Sequence, residues 1–205
     1  MRRLTLAAVL AGIWLTGCAS SGRYDTPNQV GRDNTLGSPE APVVIEEWAD
    51  FQCPACRTFT RVEPELQQAV LADGGARLVF RHMPFLGQES VWAAEATECA
   101  GDQGSFWKYH DMLYASQDGE NRGTFSKGHL RRFAVAVGLA DQAGFNLCLD
   151  TDKYAGLVLE EKRRGERLGV NSTPTLFVNG RRVVLSNSRS PVETIRVAVQ
   201  NASSR

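Results

Sequence analysis

Cys53 and Cys56 stand one helical turn apart in Cys53-Pro54-Ala55-Cys56, where an apolar run (Val43-Val44-Ile45, then residues 48–51) gives way to a helix-like stretch. At a helix N-terminus the backbone N–H groups and the positive end of the dipole stabilise a thiolate on the first cysteine. Pro54, at the first helical position, has no N–H to satisfy. Cys53 is therefore the expected attacking sulfur. Cys56 faces back toward it and can expel a mixed-disulfide partner by attacking Cys53, which is thiol–disulfide exchange. The same spacing is also half of a zinc site. A structural zinc needs a second close pair of ligands, but Cys99 and Cys148 lie far apart and His82, His110 and His129 are scattered. The pattern favours a dithiol that works without a metal or other cofactor.

The elements that must position this pair are legible from periodicity. Residues 43–50 alternate as a strand, and residues 55–71 read as a helix bent near Pro64, where the missing N–H and the ring disturb an interior turn. Asp73-Gly74-Gly75 ends it, and residues 76–82 are a second strand. A right-handed crossover then makes the two strands parallel in one sheet. From 88 to 167 the period becomes helical: Trp92, Ala96 and Cys99 share a face, as do Phe106, His110, Leu113 and Tyr114. Strand character returns at 175–178, followed by Asn179-Gly180, a strong two-residue hairpin turn, and a partner strand at 182–185. Ser190-Pro191-Val192-Glu193 is a capping box that opens a helix running to about residue 200. The order is βαβ, a run of helices, then ββα. This predicts an α/β thioredoxin-like core, residues 39–87 and 168–203, split by a helical insertion over 88–167.

The N-terminal segment reads as an export signal over 1–17. Arg2-Arg3 is a charged start, and residues 4–14 form an apolar core of eleven residues, too short to span a bilayer. Leu15-Thr16-Gly17-Cys18 resembles the lipobox of bacterial lipoproteins, in which the cysteine is lipidated. An ordinary signal peptide that leaves Cys18 as a stray thiol is the alternative. Residues 18–38 are rich in Ser, Gly, Asn, Asp and Thr and read as a flexible tether. That leaves about 165 residues, enough for one well-cored domain. Of the five cysteines, Cys99 and Cys148 then remain unassigned. In an oxidising compartment they would pair and close a loop of about 50 residues, worth about 4 kcal/mol in the chain-entropy picture; otherwise they are two buried thiols acting as small apolar residues. Without the signal, 21 basic face 23 acidic residues, a net charge of −2. No basic stripe argues for nucleic acid.

The chain resembles the DsbA-like thioredoxin-fold oxidoreductases from about residue 38 to the end. The carriers are Phe51-Gln52-Cys53-Pro54-Ala55-Cys56, Phe80-Arg81-His82-Met83-Pro84, Gln103-Gly104-Ser105-Phe106-Trp107 with His110-Asp111, and Gly169-Val170-Asn171-Ser172-Thr173-Pro174-Thr175 before Asn179-Gly180. The resemblance implies that Pro174 is a cis-proline facing the dithiol, with Thr173 offering backbone hydrogen bonds to a bound peptide; an ordinary trans proline at a strand edge is the alternative. It also implies that Glu47, on the strand entering the motif, is a buried acid beneath the dithiol, able to relay the proton of Cys56. Otherwise Glu47 is a rim carboxylate. Strand alternation sends Glu46 and Asp50 to the other face. His82 and His110 read as structural, and His129 as a solvated helix start. One departure from the strongly oxidising members is Ala55, which offers neither charge nor hydrogen bond to the nucleophile, so intermediate oxidising power is expected.

These features imply an envelope enzyme that exchanges disulfides with exported proteins through Cys53, working as a monomer with a membrane redox partner. The same steps reversed give a reductase. A different class is a lipid-tethered client binder or a Cu(I) carrier using the paired thiolates.

Overall fold

The computed structural model describes residues 34–38, 40–185 and 190–204. The signal segment, Cys18 and the tether up to residue 33 lie outside the described residues. Five strands form one sheet in the order β1-β3-β2-β4-β5. They are β1 (Thr35–Gly37), β2 (Val43–Ala49), β3 (Ala76–His82), β4 (Thr175–Val178) and β5 (Arg181–Val183). β2 and β3 run parallel, and the other pairings are antiparallel.

Alternation along β2 decides which face each side chain serves. Val43, Ile45 and Ala49 join the main core, while Trp48 joins a smaller cluster with Met83, Val170 and Phe177 on the opposite face. Glu47 has the parity of Ile45 and is fully buried, whereas Glu46 turns the other way and pairs with Arg81 and Arg164.

Several expectations change. The tether was predicted to extend to residue 38, but Thr35–Gly37 pairs with β3 and Leu36 is buried in the main core. Three residues with one apolar side chain carry no period that marks a strand; Asn34 secures the edge by exchanging hydrogen bonds with Phe80. The single helix bent at Pro64 is instead α1 (Pro54–Phe59), a break, α2 (Glu63–Leu66) and a π-helical turn (Gln67–Leu71). Thr58 and Thr60 donate their hydroxyls to the Pro54 and Arg57 carbonyls, a local competition that ends α1. Pro64 then lies in the first turn of α2, where its missing N–H costs nothing.

Between β3 and β4 come α3 (Gln88–Gly101), α4 (Phe106–Ala115), α5 (Lys127–Ala136), α6 (Gln142–Asp150) and α7 (Ala155–Arg167). α7 returns to the sheet at Gly165, where a Cβ would meet Met83 Sδ at 2.8 Å and the Trp48 ring at 2.9 Å. Asn179 and Gly180 both take positive φ, 44° and 74°, which makes the tight turn between β4 and β5. The second strand of this hairpin begins at Arg181, one residue earlier than predicted, and ends at Val183. α8 (Pro191–Ser203) opens with Ser190 Oγ accepting the Glu193 N–H at 3.1 Å.

Candidate active site

β2 delivers residues 50–52 to the edge of the sheet, and Cys53 becomes the N-cap of α1 with Pro54 in its first turn. Cys53 is 8% exposed and Cys56 is fully enclosed, so the outer sulfur alone meets the surface. The chain before β4 comes to the same point: the Thr173–Pro174 peptide is cis, and Cys53 Sγ lies 3.4 Å from the Thr173 carbonyl oxygen.

The two thiols differ sharply in proton affinity. A hydrogen bond from Cys56 lowers the Cys53 pKa most; burial opposes it, and the Thr173 side chain with the Cys56 and Ala55 N–H groups lowers it further, to about 6. Cys56 moves the other way. Burial raises it first, and the hydrogen bond with Cys53 and the charge there raise it again, well above the ordinary thiol range. The outer sulfur is a thiolate at neutral pH while the inner one keeps its proton, as an attacking and a resolving thiol require.

Beneath the dithiol lies a buried polar patch. Tyr114 is pushed up mainly by burial, and then by the charges of Cys56, Glu47, Asp50 and Glu63, which therefore share one neighbourhood. Phe51 spaces it, with Phe80 at 5.2 Å, Tyr114 at 5.1 Å and His110 at 5.8 Å between ring centres. His82 is buried with Nε2 3.0 Å from Glu98, and His110 is buried with Nδ1 2.9 Å from Asp111. His129 is not simply solvated: its Nδ1 contacts the Gly123 carbonyl at 2.6 Å.

Several residues that hold the site gave no signal in the sequence. Asp50, predicted only to face away from Glu47, is buried, and its carboxylate accepts from Ser90 Oγ at 2.6 Å and from the N–H groups of Gln52, Phe85 and Leu86. Burial raises its pKa despite those bonds. Gln117, in the loop after α4, donates its amide to the Phe51 carbonyl at 2.6 Å and the Cys53 carbonyl at 3.1 Å. Gln52 accepts the Asn121 N–H at 2.6 Å and donates to Ser90. The helical insertion is thus tied directly to the backbone of the attacking cysteine. A Gln or Asn in a polar loop looks like any solvated residue, and only the partner 64 or 69 residues away gives it a role. Phe85, whose N–H donates to Asp50, is 44% exposed.

Cys99 on α3 and Cys148 on α6 form a disulfide with Cα atoms 5.9 Å apart. Cys18 lies outside the described residues, and no helix among those described is long and apolar enough to cross a membrane.

A sheet of this order, a dithiol at the start of α1 after the strand β2 and a facing cis-proline loop define a thioredoxin-fold dithiol protein. The family described as Thioredoxin matches residues 29–200. The chain belongs to that family, in the DsbA-like form whose core is split by helices. It is 32% identical over 150 residues to the probable disulfide bond formation protein D of Bacillus anthracis, covering 71% of this chain and 69% of that one. It is also 35% identical over 188 residues to the Na(+)/H(+) antiporter NhaA 3 of Salinispora tropica, covering 90% of this chain but 27% of the antiporter. The chain thus spans only about a quarter of those longer relatives. The oxidised BdbD structure from Bacillus subtilis superposes with a TM-score of 0.74 at 24% identity, covering 84% of this chain and 93% of that one.

Proposed function

We propose that this protein is a thiol–disulfide oxidoreductase acting outside the cytoplasm on exported proteins that carry cysteines. The observation that carries this reading is the inequality of the two thiols, with Cys53 lowered to about 6 and Cys56 raised, against a cis-proline loop. A client thiolate attacks Cys53 of the oxidised pair, Cys56 leaves and takes a proton, and a second client thiolate displaces Cys53 to release an oxidised client. Glu47, buried on the β2 face that carries Ile45 and Ala49, serves as the first proton acceptor or donor for Cys56. Thr173 and Pro174 present backbone groups to the client.

The cell-envelope setting is supported by the Cys99–Cys148 disulfide and by the disulfide-forming relative in Bacillus anthracis. Lipid on Cys18 anchors the domain to a membrane surface, and a membrane redox partner reoxidises it; the working unit is the monomer.

The test is the reduction potential of Cys53–Cys56 in graded glutathione buffers. A value of about −120 to −180 mV identifies a disulfide donor, and one near about −270 mV a reductant of clients. Absence of a reversible two-electron titration overturns the enzyme reading. Replacing Cys18 by Ala and following membrane fractionation tests the anchor.

A further inference from the structure

We propose that Glu63, His110 and Asp111 form a binding site for one divalent cation of the zinc type, which clamps the start of α2 to α4. One oxygen from each carboxylate and one ring nitrogen of His110 lie within 4.8 Å of one another. Ligand atoms bound to one ion at about 2.0–2.2 Å stand at most about 4.4 Å apart. Glu63 Oε1 and His110 Nε2 are already inside that limit, at 3.8 Å. The rest of the set closes with a shift of about half an ångström.

A separate observation points to a ligand. His110 is fully buried, with the ring centres of Tyr114 at 4.8 Å, Trp107 at 5.0 Å and Phe80 at 5.1 Å, and its Nε2 has no hydrogen-bond partner among the described residues. A buried imidazole nitrogen left in that state is costly. Nδ1 lies 2.9 Å from Asp111 Oδ1, and a proton donated from Nδ1 to that carboxylate leaves the lone pair on Nε2, beside Glu63. This is the tautomer of a histidine bound to metal, held in place by a carboxylate as such histidines commonly are. An ion pair alone would put a proton on Nε2, but at 3.8 Å from Glu63 that N–H makes no hydrogen bond. An ion about 2 Å from each atom spans the same gap.

The donor set selects the class of ion. One imidazole and two carboxylates suit zinc and its transition-metal neighbours. Calcium takes six or more oxygens and magnesium keeps several waters, for which the full burial of Glu63 and His110 leaves little room. Two carboxylates and a neutral imidazole balance the charge of a 2+ ion, so the site adds no net charge to its aromatic surroundings. Entry is past Asp111, whose side chain is 34% exposed and borders a cleft of about 250 Å³ that can supply water as a fourth ligand. Arg57 on the wall of that cleft donates to the Gln117 carbonyl at 3.4 Å, and Arg61 there meets a neutral site once the ion is bound. Glu63 belongs to the segment between β2 and β3, whereas His110 and Asp111 belong to the helical insertion. The bound ion therefore holds the two parts of the split fold together.

The test is zinc binding by the full chain with Cys53–Cys56 oxidised and any remaining thiol alkylated, measured by competition with a chromophoric chelator and by thermal melting. One zinc per chain is expected, with the melting temperature raised by about 5 °C at zinc a hundredfold above Kd. Asp111→Asn keeps an acceptor for Nδ1 and Glu63→Gln keeps the side-chain volume; each should weaken binding at least about tenfold. Cobalt in place of zinc should give the visible bands of an imidazole and carboxylate site, without the sulfur-to-cobalt absorption of a thiolate site. Absence of stoichiometric binding, parental affinity in both variants, or a sulfur signature overturns the site. The cobalt spectrum of the parent decides the matter even where a variant fails to fold. Disulfide exchange is tested separately by the reduction potential, so loss of the metal site leaves that reading standing.

Discussion

The chain contains two cysteine pairs whose outer sulfurs are almost equally covered, Cys53 at 8% and Cys148 at 6% exposure, yet the surroundings give them opposite chemistry. Cys53 caps the start of α1, where the helix dipole and free N–H groups favour a thiolate. Cys99 and Cys148 sit in the last turns of α3 and α6, where the dipole is negative and a thiolate is disfavoured. A cysteine that is a poor thiolate is a poor leaving group, so the second pair resists exchange. Reactivity here follows the end of the helix on which a sulfur sits more than its access to solvent. The pairs also differ in reach. The first closes a single turn, and the second joins residues 49 apart and fastens the insertion to itself.

The sharpest way to break this contrast is to remove each pair. Cys53→Ser should abolish exchange measured with a fluorescent disulfide substrate. Replacing both Cys99 and Cys148 by Ala should leave exchange intact but lower the unfolding free energy in urea by about 2–5 kcal/mol. Loss of exchange in a folded double variant would show that the insertion disulfide shares in the chemistry.

Gln117→Ala probes the link between the two regions. It removes two hydrogen bonds onto the carbonyls of Phe51 and Cys53, worth about 1 kcal/mol each. The expected result is a Cys53 pKa, read from thiolate absorbance, that moves up toward the ordinary thiol value, with slower exchange. An unchanged pKa would confine the role of Gln117 to stability.

Acidity separates the pairs further. The Cys53 pKa is lowered in the folded reduced protein, so it stabilises the reduced form fully above the unfolded thiol value of about 8.5, and that advantage fades as pH falls through about 6. Cys56 acts oppositely above the unfolded value, because folding keeps its proton on. The reduction potential should accordingly change slope near pH 6, from ~59 to ~30 mV per pH unit as pH rises. One slope throughout would contradict the unequal thiols.

The smallest effect is expected at Glu95, one turn before Cys99. Its pKa is raised to about 7, by burial first and by Asp152 second, with Lys127 opposing. A raised folded value in an acid means that stability declines as pH rises from the unfolded value of 4.5 through about 7. Glu95→Gln should remove that decline in thermal melts and be the more stable protein above pH 7. A variant that keeps the parental pH dependence would place its origin elsewhere.

The sequence reading succeeded where the signal is dense and local. β3 is found at its predicted bounds, the parallel β2–β3 pair follows from the βαβ order, and Asn179-Gly180 makes the turn its type demands. It failed where the signal was sparse or shared. β1 has one apolar residue and owes its strand to pairing with β3. Pro64 fits a kink and a helix start equally well, and only the hydroxyl bonds of Thr58 and Thr60 decide between them. At the site, Glu47 could be placed by alternation because it lies inside a strand, but Asp50 lies one residue past the strand's end, where alternation no longer aims a side chain.

By itself the sequence determined which sulfur is outer and which inner, because helix start, Pro54 and the spacing of one turn are fixed within four residues. It also determined the Asn179-Gly180 turn and the Ser190 cap, which depend on neighbours a few bonds away. Tertiary structure decided what those sulfurs meet: the Thr173 carbonyl 120 residues on, the Gln117 amide 64 residues on, and the enclosure that lifts Cys56 and Tyr114. The physical reason is that desolvation and long-range hydrogen bonds exist only once distant segments are packed together, whereas a helix dipole begins with the first turn.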